Sequence, residues 1–445
     1  MVTALILAIV VAVCAFGGTE PLTFSFVQLI VLVLVGLVLW KTPREAVPYL
    51  PWLGPASLLL FVLAQMVPLA SAVPSGSSAL STITLSPFDT SAAFLRWVTY
   101  VGAFYLTLVL CVRRENEKRI LVALILLGAF EALYGLIQYL SGWHYIFTYA
   151  KHYYINEATG TYVNHNHFAG LLGMLFPLSL GMAYYVWHKG RGSYPMADAA
   201  SFSASGRSST HPKMLFFSFL AVLMVVSIIF SRSRMGILAA LSTILLLVAL
   251  IAHAKRRERR KMLTGVIVGL AAVLLLAVWI GLEPVMARYA ELEWEYNVDG
   301  VGRLSIWKDA FELVQSRPFF GTGLGTFATA YQHVQRAYPQ RVVGHAHNDY
   351  LQFLIELGLV GSVLLFAQVG YVCFLAIRGW YRKQGLWERS VALGSVGGIA
   401  FILVHSLTDF NLQIPANALT FSVLLALAFR SGQPGGTLSA RRTAN

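Results

Sequence analysis

The sequence predicts an all-α, polytopic membrane protein with about twelve transmembrane helices and one large extramembrane loop between the ninth and tenth. Composition is the first reason. The 445 residues are 57% hydrophobic and 12% charged, and the mean hydropathy is +0.67; soluble domains carry about twice that charge fraction. The second reason is that apolar runs of about 20 residues recur along the chain, each long enough to cross a ~30 Å hydrocarbon layer as a helix. The third is where the charge falls: basic residues cluster in short connections between the apolar runs.

Taken in order, the runs place spans near 2–17, 22–40, 50–70, 93–112, 119–141, 165–187, 214–230, 234–253, 262–281, 350–378, 389–408 and 415–430. The opening MVTALILAIVVAVCAFGG has the apolar run of a signal peptide without a basic start, and Val13 is a poor residue before a lipoprotein cysteine. It reads as a retained span. The tenth run is longer than a bilayer requires, and Gly358 divides it into an interfacial and a spanning piece. The Ser/Gly-rich stretch 190–212 reads as a linker, and segment 71–92, rich in Ser, Thr and Pro, as lying along the outer surface. The domain organisation is then 1–281 for nine spans, 282–349 for the loop, 350–430 for three spans and 431–445 for a tail.

Most of the 33 Lys and Arg residues fall in one set of connections. These hold Lys41 and Arg44; Arg113, Arg114, Lys118 and Arg119; Lys189, Arg191, Arg207 and Lys213; KRRERRK at 255–261; and Arg378, Arg382, Lys383 and Arg389. The tail adds Arg430, Arg441 and Arg442. By the positive-inside rule that set and both termini are cytoplasmic. The formal charge of +13 thus reports topology and does not point to nucleic acid. Cys14, Cys111 and Cys373 all lie in apolar runs, so neither a disulfide framework nor a Cys-based zinc site is legible.

The opposite face, made of 71–92, 142–164, 282–349 and 409–414, collects the unusual polar residues. Arg232 and Arg234 lie in SRSRMG, a short connection between two spans. Snorkelling toward lipid headgroups explains them; so does a fixed cationic site for an anionic substrate, since Arg pairs bidentately with phosphate. Arg303, in GRLSIWKDA, opens a helix-like segment at 303–316 and could simply pair with Asp299 or Asp309. In GHAHNDYLQ, Asn348 or Asp349 suits a helix N-cap, with Gln352 completing a capping box. That accounts for the cap but not for His345 and His347. An imidazole titrates near working pH and can take or give a proton without a metal. A four-histidine metal site from His165, His167, His345 and His347 is disfavoured, because residues two apart diverge on a helix. Glu131 falls inside a span, where a carboxylate is protonated, paired or functional. His405, Asp409, Asn411, Asn164 and Asn166 lie on the same outer side, and GTGLG at 321–325 is a turn without the lysine of a nucleotide loop.

HNDYLQFLIELGLVG resembles the signature of the O-antigen ligase and polymerase superfamily, in which His followed by Asn, Ser or Gln is separated by nine residues from Gly-x-x-Gly. Here His347-Asn348 is followed by 349–357 and then by Gly358 and Gly361. SRSRMG resembles the family's Ser-Arg hairpin, and GRLSIWKDAFELVQSRPFFGTGLGTF the loop before its histidine. NHNHFAG and HSLTDFNLQIPAN resemble further family segments. The likeness runs from about 160 to 430, with the ligase-related region near 214–378; the first 150 residues match only as a series of spans.

The resemblance implies a GT-C-type fold with a periplasmic loop, in the bacterial inner membrane. It implies transfer of a glycan from undecaprenyl diphosphate to an acceptor hydroxyl on lipid A-core or another polysaccharide, without metal or cofactor. It places His347 as the base and Arg234 and Arg303 on the diphosphate, with Arg232, His345, Asn348, Asp349, His167 and Asp409 as supporting neighbours. A polymerase joining lipid-linked repeats fits the same residues. A lipid or glycan transporter, with His347 coupling protons, is the rival from another class.

Overall fold

A computed structural model describes residues 1–41, 53–68, 82–190, 210–254, 302–337, 339–382 and 385–433. The span expected at 262–281, the basic run 255–261, most of the 190–212 linker and residues 71–81 of the 71–92 segment lie outside the described residues. Helices run from α1 (Val2–Cys14), α2 (Pro21–Lys41), α3 (Leu53–Gln65), α4 (Pro87–Leu110) and α5 (Arg114–Ser141) to α6 (His165–Gly190). Then come α7 (Thr210–Phe230), α8 (Arg234–Ala254), α9 (Arg303–Ser316), α10 (Phe327–Tyr331), α11 (Asp349–Tyr381), α12 (Leu386–His405) and α13 (Pro415–Gly432). A two-stranded hairpin, β1 (Tyr145–Ile146) with β2 (Tyr149–Ala150), interrupts the series before α6.

Eight of these helices, α2, α4 to α8, α11 and α12, are long and apolar enough to cross a membrane. The sequence reading placed twelve spans. The difference lies in α1 and α3, apolar helices of 13 residues, in α13, which falls outside that set of eight, and in 262–281, which is not described. At 1.5 Å per residue a 13-residue helix covers about 20 Å. α4 also begins earlier than its hydropathy suggests: Ser86 caps it by accepting from Asp89 N, and Pro87 occupies the first turn.

The most extensive helix pairing among the described residues joins α6 to α12. Glycines bring the two backbones together: a Cβ on Gly181 would stand 2.5 Å from the Ser390 carbonyl, and one on Gly398 2.4 Å from that of Met174. α13 is buried along most of its length and packs against α4, α11, α12 and α1.

Gly358 does break α11, with φ +63° and ψ −172°. A helix broken inside apolar surroundings leaves backbone groups that must find partners. The GTGLG loop supplies them. Thr322 N and Gly323 N donate to the carbonyls of Ile355 and Glu356, at 2.8 and 3.0 Å, while Leu359 N and Val360 N donate to Pro318 O and Phe319 O, at 2.8 and 3.1 Å. The Glu356 carboxylate accepts from Gly325 N and Phe327 N, and the Gln65 amide of α3 bridges the Glu356 and Phe320 carbonyls. Beside this seam α9 and α10 form a small core of their own, including Ile306, Leu313, Phe327, Tyr331 and Ile355. Trp307 Nε1 donates to Ala346 O at 2.8 Å, tying α9 to the residue between the two histidines.

Candidate active site

Five separated segments meet at the end of the bundle where α6, α8 and α11 begin and α12 ends. Their meeting point is Phe410, in the connection between α12 and α13. The His345 ring stacks on it with centroids 4.2 Å apart, and the rings of His167 and His347 meet it edge-on at 4.6 and 4.8 Å.

The α11 segment is anchored by its cap. Asn348 Oδ1 accepts from Leu351 N at 3.0 Å, as an N-cap should. The capping box expected from Gln352 does not form. That amide accepts from Ala346 N at 3.2 Å, contacts His345 Nδ1 at 3.3 Å and donates to Glu356 at 3.0 Å, so it orients His345 and leaves the cap alone. Asp349, the other cap candidate, turns into the bundle. Its carboxylate accepts from Ser406 Oγ at 2.7 Å, Leu412 N at 3.1 Å and Gln413 Nε2 at 3.3 Å. Its backbone N–H reaches the carbonyls of Ser406 and Asp409. The 345–352 segment is thereby fastened to 406–413.

His347 adopts a left-handed backbone, φ +51°, which His tolerates better than a β-branched residue would. Its Nδ1 is buried and has no hydrogen-bond partner among the described residues. Burial, then the nearby Arg303 guanidinium, then His345, pull its pKa down to about 4. At neutral pH the ring is uncharged. His345 is likewise pulled down to about 4, chiefly by burial. Arg303 does not pair with Asp309. It is exposed and donates to the Thr408 carbonyl, whereas Asp309 accepts from Tyr331 OH, Arg336 N and Ala337 N at 3.1, 2.9 and 2.7 Å.

The SRSR hairpin contributes through Ser233, buried between the two arginines. Ser233 Oγ accepts from Gly236 N at the start of α8 and lies 3.1 Å from His405 Nε2. Arg232, also left-handed at φ +55°, reaches Glu157, Nη1 to Oε1 3.7 Å. Arg234 opens α8 beside it. From His405 a hydrogen-bonded chain runs inward: Asn411 Nδ2 donates to His405 Nδ1 and to Asp409 Oδ2, Asn417 Nδ2 to Asn411 Oδ1, and Tyr162 OH to Asn417 Oδ1. Asp409 Oδ1 lies 3.9 Å from His167 Nε2. Burial lifts the Asp409 pKa to about 6 against the opposing pull of Arg303 and two hydrogen bonds.

His165 and His167 diverge, as helix geometry requires: His165 donates to Ser231 O and stacks on Tyr154, while His167 faces Phe410 and Asp409. Among the described residues no three His, Cys, Asp or Glu side chains converge as metal ligands would. Glu131, inside α5, is paired: it accepts from Thr161 N and Thr161 Oγ1, at 2.9 and 2.8 Å, and fastens the loop before α6. The nine site residues that the resemblance names thus all lie at this end of the bundle. Phe410, Thr408, Asn417 and Glu157 were not singled out. Asn417 did leave a signal, an amide in an apolar helix; Phe410 left none.

The architecture is that of a multi-pass helical membrane protein, with a histidine-bearing polar cluster at one end of the bundle. Residues 219–366, about a third of the chain, match the family model described as O-antigen ligase, the superfamily that the histidine signature resembles. No curated protein matches the chain. The matched region contains the SRSR hairpin, Arg303 and the histidine segment through Gly361; His165, His167 and everything from His405 to Asn417 fall outside it.

Proposed function

We propose that the chain is a membrane glycosyltransferase of O-antigen ligase type, transferring a glycan from undecaprenyl diphosphate to an acceptor hydroxyl of lipid A-core at the periplasmic face of the inner membrane. The observation that carries this reading is the buried His347 imidazole, without a hydrogen-bond partner at Nδ1 among the described residues and close enough to Arg303 to feel its charge. In the reaction the acceptor oxygen attacks the anomeric carbon and gives its proton to His347. The bond from that carbon to the diphosphate oxygen breaks, and the lipid diphosphate leaves with its electron pair. Arg303 and Arg234 receive the growing negative charge, and Arg232 reinforces it; guanidinium groups held in place by folding need no reorganisation as the bond breaks.

An anion beside His347 also makes it a better base. The negative charge of the diphosphate opposes the field of Arg303, which adds to burial in depressing the imidazole pKa, so donor binding strengthens the proton acceptor. Attack opposite the leaving group inverts the anomeric centre. His345, His167, Asn348, Asp349 and Asp409 hold the geometry: Gln352 orients His345, the Asn348 cap sets the start of α11, and Asp349 clamps it to the Phe410 loop.

The test is a surface-glycan gel from the native host lacking the gene, complemented with wild type or His347→Gln. Loss of general-base catalysis is worth about 10²–10⁴-fold, so the variant should leave the glycan unattached while its melting temperature in detergent stays near wild type. Full-length polymer stranded on its lipid carrier marks a ligase, whereas acceptors bearing single repeats mark a polymerase. Full rescue by His347→Gln overturns the reading.

A further inference from the structure

The connection between α5 and α6 carries a dense set of exposed rings. Its hairpin and the turn after it put Trp143, Tyr145, Phe147, Tyr149, Tyr153 and Tyr154 on the surface, each at least 36% exposed. Most of these rings fall into two wings. Phe147 stacks on Tyr134 with centroids 5.6 Å apart, Trp143 meets Tyr134 edge-on at 5.8 Å, and Tyr134 stacks on Phe130 at 5.9 Å. Phe130 belongs with Leu133, Ile137 and Leu140 to the exposed apolar face of α5. This wing continues a lipid-facing surface and supplies the aromatic girdle expected where a helix leaves the bilayer.

The other wing turns toward the candidate site. Tyr154 stacks on His165 with centroids 4.4 Å apart, and His165 donates to Ser231 O at the head of the SRSR hairpin. Three residues on, Glu157 reaches Arg232, and Ala158 N donates to Phe230 O at 3.1 Å. His152 and Asn156, both exposed, border the pair of tyrosines, and such polar groups make hydrocarbon a poor covering for them. The wing is also fixed in place. His144 Nδ1 donates to Ile155 O and Lys151 Nζ to Glu157 O, both at 2.9 Å. Tyr154 is held at φ +52°, a conformation costly for a bulky side chain. Folding thus keeps an accessible ring on a firm support, next to an arginine of the proposed diphosphate site.

A sugar ring suits such a ledge. One face of a pyranose presents C–H bonds, which the negative face of an aromatic ring attracts, while its hydroxyls project at the edge toward polar neighbours. The glycan of a diphosphate-linked donor begins at the phosphates themselves, and Glu157 ties the ledge to Arg232. We propose that Tyr153 and Tyr154 form a sugar-binding ledge that stacks a pyranose of the donor glycan and so discriminates among glycans; this rests on the transferase reading above.

The probe is the native host's surface polysaccharide, freed of lipid and phosphate by mild acid, so that binding reports the ledge and not the arginines. Saturation-transfer NMR is run on the full-length protein in phosphatidylglycerol nanodiscs, with empty nanodiscs subtracted. Sugar C–H signals should appear with wild type and with Tyr154→Phe, and persist in the Trp143→Ala, Phe147→Ala double variant, which strips the lipid-facing wing. They should fall about tenfold in Tyr154→Leu, the worth of one good aromatic contact. Tyr153→Ala, at a side chain 69% exposed, serves if Tyr154→Leu does not fold. Absence of sugar signals with wild type, undiminished signals in the folded ledge variant, or loss only with the lipid-facing wing overturns the proposal. Ring-dependent binding by a protein that transfers no glycan sustains this inference and sinks the transferase reading. Normal glycan transfer without ring-dependent binding does the reverse.

Discussion

Asp349 carries more structural demand than any local pattern around it announces. A side chain just inside a helix start normally faces water or the helix's own first turn. Here it points across to another connection and takes three donors, Ser406 Oγ, Leu412 N and Gln413 Nε2. Asp349→Ala strands all three, Ser406 buried and Leu412 and Gln413 half-buried, and each unpaired polar group costs about 1–3 kcal/mol when buried. Destabilisation of about 3 kcal/mol or more is expected, read as a lowered denaturation midpoint in detergent. Asp349→Asn keeps one carbonyl acceptor and should lose less. Equal midpoints for wild type and Asp349→Ala would remove Asp349 as a clamp. The sequence reading found the position through the capping motif but gave the cap to either of two residues. Asn348 holds it, because only its side chain returns to Leu351 N, and that freed Asp349 for a contact 57 residues away in the chain.

Among the elements, the broken helix α11 is the one whose failure is easiest to foresee. Gly358 lies at φ +63°, ψ −172°, a region essentially confined to glycine and costing other residues of order 1–3 kcal/mol. A Cβ there would also stand 2.3 Å from the Phe319 carbonyl and 2.6 Å from Gly321 N. Gly358→Ala should therefore loosen the 318–325 seam. Hydrogen exchange would rise at Thr322, Gly323, Leu359 and Val360, the four N–H groups that the seam satisfies, with little change in α6 or α12. Unchanged exchange at those amides would show that the break tolerates a side chain. The over-long apolar run and its glycine made the break legible. Its solution was not, since GTGLG reads locally as a turn, and the complementarity of a loop to a helix break is a tertiary property.

Over the whole molecule, hydropathy made the class legible and left the assembly obscure. Residues 231–234, 345–349 and 405–417 meet because α6 and α12 pack closely through glycines and α13 returns along α12. No periodicity in any one segment encodes that order. Of the titrating groups that this convergence gathers, three lie in the connections between the long helices: His345, His347 and Asp409. His345 and His347 sit at about 4 against an ordinary 6.5, so between those values the unfolded chain binds more protons and stability rises with pH. Asp409, lifted from 3.8 to about 6, works the other way, the folded chain binding its proton in that window. Two groups outweigh one. The net contribution of these three should decline by about 1 kcal/mol per pH unit as pH falls from about 6.5 to about 4, measured as the difference in detergent melting temperature between wild type and variants lacking them across that range. A difference that stays flat, or an unaltered slope in a His345→Gln, His347→Gln double variant, would contradict this balance.

Phe410 settles what could be moved between proteins. The ring on which three histidines rest lies outside the stretch matched to the O-antigen ligase family, 219–366. A chimera that exchanged only that stretch would import the arginines and His347 onto a foreign bearing surface, with Asp349 facing donors that never evolved alongside it. The geometry of this cluster is set by a discontinuous module, and a graft that keeps it has to include 154–167 and 405–417 with the rest.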